Sequence, residues 1–225
     1  MPNVYTFKDF DGSSHRILID LIRRYAGRGG RLLDLGAAGG ELGAAVRDQF
    51  VRVIGFEYNV DCIATLRDHF DQAAIADLER LRHLPAGNDA IVLADVLEHL
   101  RDAPAVLRLT RQALNQGGKL FVSVPNIANI TVRLGLFFGV FEYRDRGILD
   151  NTHVRFYTLR TIRREIENAG FRVLAIRGSS VPLRLIIGSY TPDPILRIGE
   201  RILSLVTALW RSLFAYQIII VAERQ

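Results

Sequence analysis

Hydrophobic positions along the chain follow two alternating rhythms, one helical and one of short unbroken runs. Over Ser13–Ala26, Ile17, Leu18, Leu21, Ile22 and Tyr25 recur on one side of a predicted helix, which Gly27 and the Gly29-Gly30 pair close. The apolar run at 31–35 then reads as a strand. It is followed by a helix over 41–49, a strand at 51–56, a helix from 60 to 70 and a short strand at 72–76. DAIVLA at 89–94 is a further strand, a helix spans 102–115, and the Gly117-Gly118 turn leads into the strand KLFVSVP. From Asn126 to Asp150 the period fades into an apolar, Gly-punctuated insertion. Order returns with a helix at 158–169, stopped by Gly170, a strand at 171–177 and a last strand at Ala215–Ala222. Two Pro-rich interruptions, VPLRL at 181–185 and TPDP at 191–194, separate these late elements, and no internal repeat is visible.

The strands are continuous apolar runs and not alternating ones, which is expected when helices cover both faces of a mostly parallel sheet. The pattern therefore predicts a doubly wound α/β fold. One domain over 1–225 is expected, with a core at 13–180, an acceptor-side insertion at 126–157, and an amphipathic helix plus final strand in 181–225.

Composition narrows this picture modestly. A chain of 225 residues with 49% hydrophobic content is long enough for one sizeable core. The formal charge of +5 is spread among interleaved acids, and Lys8 and Lys119 are the only lysines. Without a basic tract or interleaved aromatics, no nucleic-acid partner is expected. Cys62 is the only cysteine, which excludes a disulfide framework and a thiolate zinc site and makes the cytoplasm the default compartment. The opening MPNVYTFKDFDGSSH shows no secretory pattern. No apolar run approaches the ~18–20 residues of a spanning helix; the closest regions, 127–141 and 195–222, are broken by charges or turn residues.

The stretch RLLDLGAAGGELGAAV, from Arg31 to Val46, is a strand that ends in a tight turn and feeds a helix. In a doubly wound sheet the ligand crevice lies beyond the carboxyl ends of the strands, where such a turn presents backbone N–H groups. Gly36, Ala37, Ala38, Gly39 and Gly40 keep this one free of bulk. A dinucleotide fold wants G-x-G-x-x-G. Counted from Gly36, the chain offers Ala38 and then Glu41, and a carboxylate at the helix start repels a pyrophosphate. Asp34 before the turn and Glu41 after it suit a ligand bearing positive charge. VIGFE places Glu57 at the end of the second strand, about 20 residues on, where an acid accepts hydrogen bonds from both ribose hydroxyls. AAIAD places Asp77 at the same rim, within reach of an amino-bearing base. The competing structural reading makes each acid a helix N-cap or first-turn residue.

These residues resemble a known family, the class I S-adenosylmethionine-dependent methyltransferases. LDLGAAGG is similar to their first motif, with Ala38 where the middle glycine normally sits. DAIVLADVLEHL resembles their fourth motif and GGKLFVSVPN their fifth-strand motif, and the likeness covers about residues 13–180. The resemblance implies a Rossmann-like, seven-stranded, mostly parallel sheet with S-adenosyl-L-methionine as cofactor, held by Asp34, Gly36, Ala37, Gly40, Glu57, Tyr58, Asp77, Leu78 and Ala94. Within the family, SVPNIAN followed by GILDNTHVRFYT is similar to a branch associated with polysaccharide, glycolipid or secondary-metabolite pathways. The implied activity is O-methylation of a small molecule, sugar or lipid-linked glycan intermediate. A non-catalytic nucleoside-binding module of the same fold is the alternative, and a nicotinamide oxidoreductase is disfavoured by the turn.

Methyl transfer from a sulfonium is an in-line displacement, so the chain must hold the reacting atoms collinear and dry, and a hydroxyl acceptor also benefits from a base. Two stretches qualify. ADVLEHL carries Asp95, Glu98 and His99, and LDNTHVRFYT carries Asp150, Asn151, His153 and Arg155. His153 is the preferred general base, with Asp150 as its orienter or a substrate acceptor and His99 beside it. Asp95, Asn126 and Arg155 are the candidate substrate contacts, Arg155 as a fork for an anionic group. No metal is required on this reading, although Asp95, Glu98, His99 and His153 could form a mixed carboxylate–imidazole site.

Two apolar stretches remain. NIANITVRLGLFFGVFEY is richer in aromatic and aliphatic residues than a surface loop needs. PILRIGERILSLVTALWRSLF, residues 194–214, sets Arg197, Glu200, Arg201, Ser204, Thr207 and Arg211 against an apolar remainder. Such a helix suits packing on its own domain or across a homodimer interface, with a peripheral membrane helix as the sharper alternative. Together the stretches suggest a hydrophobic or lipid-linked acceptor and contact with the cytoplasmic face of a membrane.

Overall fold

The computed structural model describes Phe7, Phe10 and residues 12–183 and 191–225. Most of the N-terminal stretch read for a secretory signal lies outside them, as does part of VPLRL. Among the described residues the strands are β1 (Arg31–Leu35), β2 (Arg52–Glu57), β3 (Gln72–Ile75), β4 (Asn88–Ala94), β5 (Leu114–Pro125), β6 (Phe171–Ser179) and β7 (Gln217–Arg224). The helices are α1 (Ser14–Tyr25), α2 (Glu41–Ala45), α3 (Ile63–His69), α4 (Ala103–Ala113), α5 (Ile130–Phe137), α6 (Leu159–Asn168), α7 (Asp193–Leu209) and α8 (Arg211–Phe214). The strands form one seven-stranded sheet in the order β3-β2-β1-β4-β5-β7-β6. The pairs from β3 to β5 are parallel, and β7 runs antiparallel to both its neighbours.

Side chains along each central strand alternate between two buried layers, which is why the strands read as unbroken apolar runs. Leu33, Ile91, Leu93 and Leu120 join the layer that includes Val106, Leu107, Ile162 and Ile166 of α4 and α6. Leu32, Ala90, Val92 and Phe121 join the opposite layer, with Leu18 and Ile22 of α1, Leu42 of α2 and Leu66 of α3. Local signals set the helix starts. Ser13 accepts from the Arg16 amide, Asp102 caps α4 at Ala105, and Thr158 and Thr161 form a reciprocal capping box on α6.

Several boundaries differ from the pattern. The helix expected over 41–49 is the short α2 followed by a 3-10 turn at Arg47–Gln49, because Val46, at φ −116°, leaves the helical region. The helix expected from 60 begins as a 3-10 turn at Val60–Cys62 capped by Asn59. β5 starts at Leu114, before the glycine pair, because Leu114 pairs with Asn88 across a bulge. The insertion contains α5, started by Asn129, whose side chain accepts from the Thr131 amide. β7 begins at Gln217 and not at 215, since the Ala215 carbonyl is taken by the side chains of Asn126 and Asn129.

Candidate cofactor and acceptor site

The loop between β1 and α2 closes on itself through backbone bonds. The amides of Gly36 and Ala37 both donate to the Phe56 carbonyl, at 2.8 and 3.0 Å, and the Gly40 amide returns to Ala37. Gly36 and Gly40 adopt φ of +77° and +88°, and Ala38 is left-handed at φ +47°. A Cβ on Gly36 would stand 2.5 Å from Val96, and one on Gly40 would stand 2.6 Å from the Phe70 ring. The loop is therefore a bare backbone cradle that only small residues can form.

Carboxylates surround it. Asp34, on β1, is 2% exposed and its Oδ2 has no hydrogen-bond partner. Burial, and then the neighbouring carboxylates of Glu57 and Glu41, push its pKa up to about 7. Glu57, at the end of β2, accepts from the amides of Ala38 and Asn59, each at 2.8 Å, which fixes its carboxylate against the loop. Asp77, past β3, accepts from the Glu79 amide at 3.0 Å and meets Arg80 at 3.1 Å, the capping behaviour of an acid at a turn. Tyr58 is exposed beside Glu57, Leu78 packs partly against the core, and Ala94 ends β4. An orphaned buried carboxylate oxygen among acids, over a cradle without side chains, fits a cationic amino-acid nucleoside and does not fit a pyrophosphate.

On the acceptor side the structure redistributes several expected roles. Asp95 sits just past β4 at φ +55°. Its two oxygens accept from Ser123 Oγ and Gln217 Nε2, both at 2.6 Å, so it is tied into the sheet end. Neither partner was signalled by the sequence, because Gln217 lies 122 residues away on the antiparallel strand. Asn126 is buried and holds the Ala215 carbonyl and the Ala128 amide, which makes it a structural pin. Arg155 donates Nε to the carbonyls of Leu100 and Arg101, at 3.0 and 3.1 Å, so its fork is engaged with backbone.

His153 is buried, and its Nδ1 lies 3.1 Å from the Ile148 carbonyl. A carbonyl only accepts, so Nδ1 carries the proton and Nε2 keeps the lone pair. Burial, and then the nearby His99, lower its pKa and favour the neutral ring. The orienter is thus Ile148 and not Asp150, whose Oδ1 accepts from the amide and hydroxyl of Thr152. The His99 ring stands edge-on to His153 with centroids 4.9 Å apart. Ligand atoms of Glu98, His99 and His153 all lie within 4.8 Å of one another, and Asp95 is not part of this group. The amides of Val154 and Arg155 bind the Glu98 carbonyl, at 2.9 and 3.0 Å, which joins the two stretches into one corner.

Comparison with known proteins agrees with this geometry. A family described as "Methyltransferase domain" matches residues 10–176. A ubiquinone biosynthesis O-methyltransferase of Xylella fastidiosa (strain M23) is 34% identical over 113 residues, covering 46% of this chain and 45% of that one. One from Idiomarina loihiensis is 27% identical over 159 residues, covering 67% and 65%. The chain thus spans less than half the length of the Xylella relative. Among solved structures, a SAM-dependent methyltransferase from Archaeoglobus fulgidus shares the fold with a TM-score of 0.62 at 19% identity, covering 94% of this chain and 95% of that one. The matched family spans most of the chain and includes the loop, the ringing acids and the strand order, and so the chain belongs to the methyltransferase-domain family, of the class I, S-adenosylmethionine-dependent kind.

Proposed function

We propose that the chain transfers a methyl group from S-adenosylmethionine to a hydroxyl oxygen of a small, apolar or lipid-linked acceptor. The observation that carries this reading is the unpartnered, buried Asp34 carboxylate oxygen beside the bare loop, with Glu57 and Glu41 close enough to raise its pKa. The cofactor supplies an electrophilic methyl on a cationic sulfonium. Asp34 and Glu41 favour its positive charge, and on this reading Glu57 takes the ribose hydroxyls and Asp77 the base. His153 serves as general base through Nε2, held in that tautomer by the Ile148 carbonyl. The names of the relatives, ubiquinone biosynthesis O-methyltransferases, support an oxygen acceptor with an apolar body.

Incubation of the protein with host extract and methyl-labelled cofactor should yield one labelled product whose mass identifies the acceptor. His153→Gln should lower the turnover of that acceptor by about 10²- to 10⁴-fold, with affinity for S-adenosylhomocysteine unchanged. Absence of any labelled product, with the by-product binding normally, would favour the non-catalytic module.

A second reading rests on the cluster of Glu98, His99 and His153. In it Glu98, His99 and His153 would hold a divalent cation, which would supply Lewis-acid polarisation of the acceptor oxygen, and His153 would serve as a ligand instead of a base. Dialysis against a chelator separates the two. Loss of turnover restored by magnesium, manganese or zinc supports the cation, and full activity afterwards removes it.

A further inference from the structure

Helix α7 carries an apolar surface that is exposed among the described residues. Successive residues of a helix advance about 100°, which divides its side chains into three sectors. Leu196 and Thr207 are buried and Leu203 half-buried, so this sector faces the domain. Ile195, Ile198, Ile202, Leu205 and Leu209 recur at spacings of three and four residues and are all exposed, Leu209 by 88%. Between these sectors, bordering the apolar stripe, stand Arg197 and Arg201, both exposed. The two acids of the helix, Asp193 and Glu200, fall next to the buried sector, away from the stripe. Trp210, 59% exposed, follows Leu209 as the C-cap of the helix and meets the Phe214 ring at 6.2 Å.

The place of this helix in the fold gives the stripe a direction. Pro125 at the end of β5 and Ser179 at the end of β6 both pair with Gln217 at the start of β7. Residues 126–143 and 191–216 therefore leave the sheet at its carboxyl edge, the same edge that carries the loop after β1. Asn129 ties the two segments, with Nδ2 donating to the carbonyls of Phe214 and Ala215 at 3.2 and 2.9 Å. The first segment also exposes apolar rings, with Phe137 exposed by 80% and Phe138 by 74%.

From these observations we infer that α7 docks on an anionic lipid surface. The stripe enters the boundary between headgroups and acyl chains, and Arg197 and Arg201 meet the headgroup phosphates. No helix among the described residues is long and apolar enough to cross a membrane, so the contact is peripheral. A second copy of the chain matches the stripe less well. A helix pair across a two-fold axis places flanking charges along its seam and is stabilised when they are opposite, whereas the border of this stripe carries only arginines. The docking rests on the methyl-transfer reading for its purpose alone, which is to bring the carboxyl edge to an acceptor held in the bilayer.

Trp210 is the only tryptophan in the chain and directly follows Leu209, so its emission reports on the end of the helix that carries the stripe. The full chain is floated with vesicles of phosphatidylcholine, alone or with about a third phosphatidylglycerol. Co-flotation with the anionic vesicles and a blue shift of the emission are expected, with partitioning at least tenfold weaker on neutral vesicles. Ile198→Glu with Leu205→Glu should lower partitioning at least tenfold, and Arg197→Glu with Arg201→Glu should remove the anionic preference. Both double variants should keep the wild-type far-ultraviolet dichroism and S-adenosylhomocysteine affinity. Failure of the wild type to float with either composition would overturn the inference, as would flotation of the stripe variant equal to wild type. A wild-type dimer in sedimentation equilibrium that the stripe variant splits into monomers would assign the surface to a second copy instead. If the protein floats but binds no S-adenosylhomocysteine, the cofactor reading fails and the docking stands.

Discussion

Asp34 is held near half-ionisation at neutral pH by burial and by two neighbouring acids, and this has a definite sign. An unfolded aspartate titrates near 3.9. Between that value and about 7 the native state keeps a proton that the unfolded chain has lost. Stability of the ligand-free protein therefore falls as pH rises through this window and is flat above it. At about 1.4 kcal/mol per unit, the loss is on the order of 4 kcal/mol. Asp34→Asn removes the titration, so its urea midpoint should change less between about pH 5 and about pH 7.5 and exceed the wild type at the upper end. The cationic sulfonium favours the ionised form, so calorimetry of S-adenosylmethionine binding near pH 6, in buffers of different ionisation enthalpy, should show proton release in the wild type and none in the variant. Parallel pH profiles for the two proteins would rule this role out. The placement of Asp34 and Glu57 near the ends of neighbouring strands was legible in the sequence because acids after apolar runs form a local pattern. Arg155 was not, since its competitors are carbonyls 54 and 55 residues away.

Among the elements, the short α2 shows why glycines recur around the loop. Hypothetical Cβ atoms on Gly40, Gly43 and Gly55 would all press on the ring of Phe70, at 2.6, 2.5 and 3.0 Å. The ring fills a slot lined by glycine from the loop, α2 and β2, and is itself almost fully buried. Gly43→Ala, which would gain about 1 kcal/mol of helix propensity in an open site, should here destabilise the protein, because the ring has no room to retreat. Phe70→Ala should cost about 3–5 kcal/mol and also weaken S-adenosylhomocysteine binding by loosening the cradle; both are read from denaturant midpoints and calorimetry. A stabilised Gly43→Ala would show that the slot is loose. Of this arrangement, the small-residue run was visible in the sequence and the ring beneath it was not, since Phe70 carries no local mark of its long-range partner. The same limit applies to α5. Its core-facing share is Val132 alone, too small a signal to raise a helical period out of an apolar insertion.

Across the whole molecule, the alternation of strands and helices indicated the layered α/β architecture, but the order of the sheet and the reversed β7 depend on pairings between distant segments. That order places the cofactor cradle on one half of the sheet, at β1, β2 and β3, and the apolar segments on the other, beside β5, β7 and β6. β3 is the edge strand of the first half, only four residues long and mostly exposed, and it holds few buried contacts of its own. A nucleoside that reaches from the loop to Glu57 and Asp77 would join three neighbouring strand ends and so restrain an edge that otherwise opens easily. S-adenosylhomocysteine at about a hundred times its dissociation constant should stabilise the fold by about 2.7 kcal/mol, which for a domain of this size raises Tm by roughly 5–10 °C. NADH should leave it unchanged. In hydrogen exchange, the amides of residues 36–40, 57–59 and 76–80 should gain protection, while those of β6 and β7 should not. Protection spread evenly over both halves would mean that the ligand acts by global stabilisation alone. Protection confined to 36–40 would mean that the base does not reach Asp77, and the bridging geometry would fall while the loop remained a binding site.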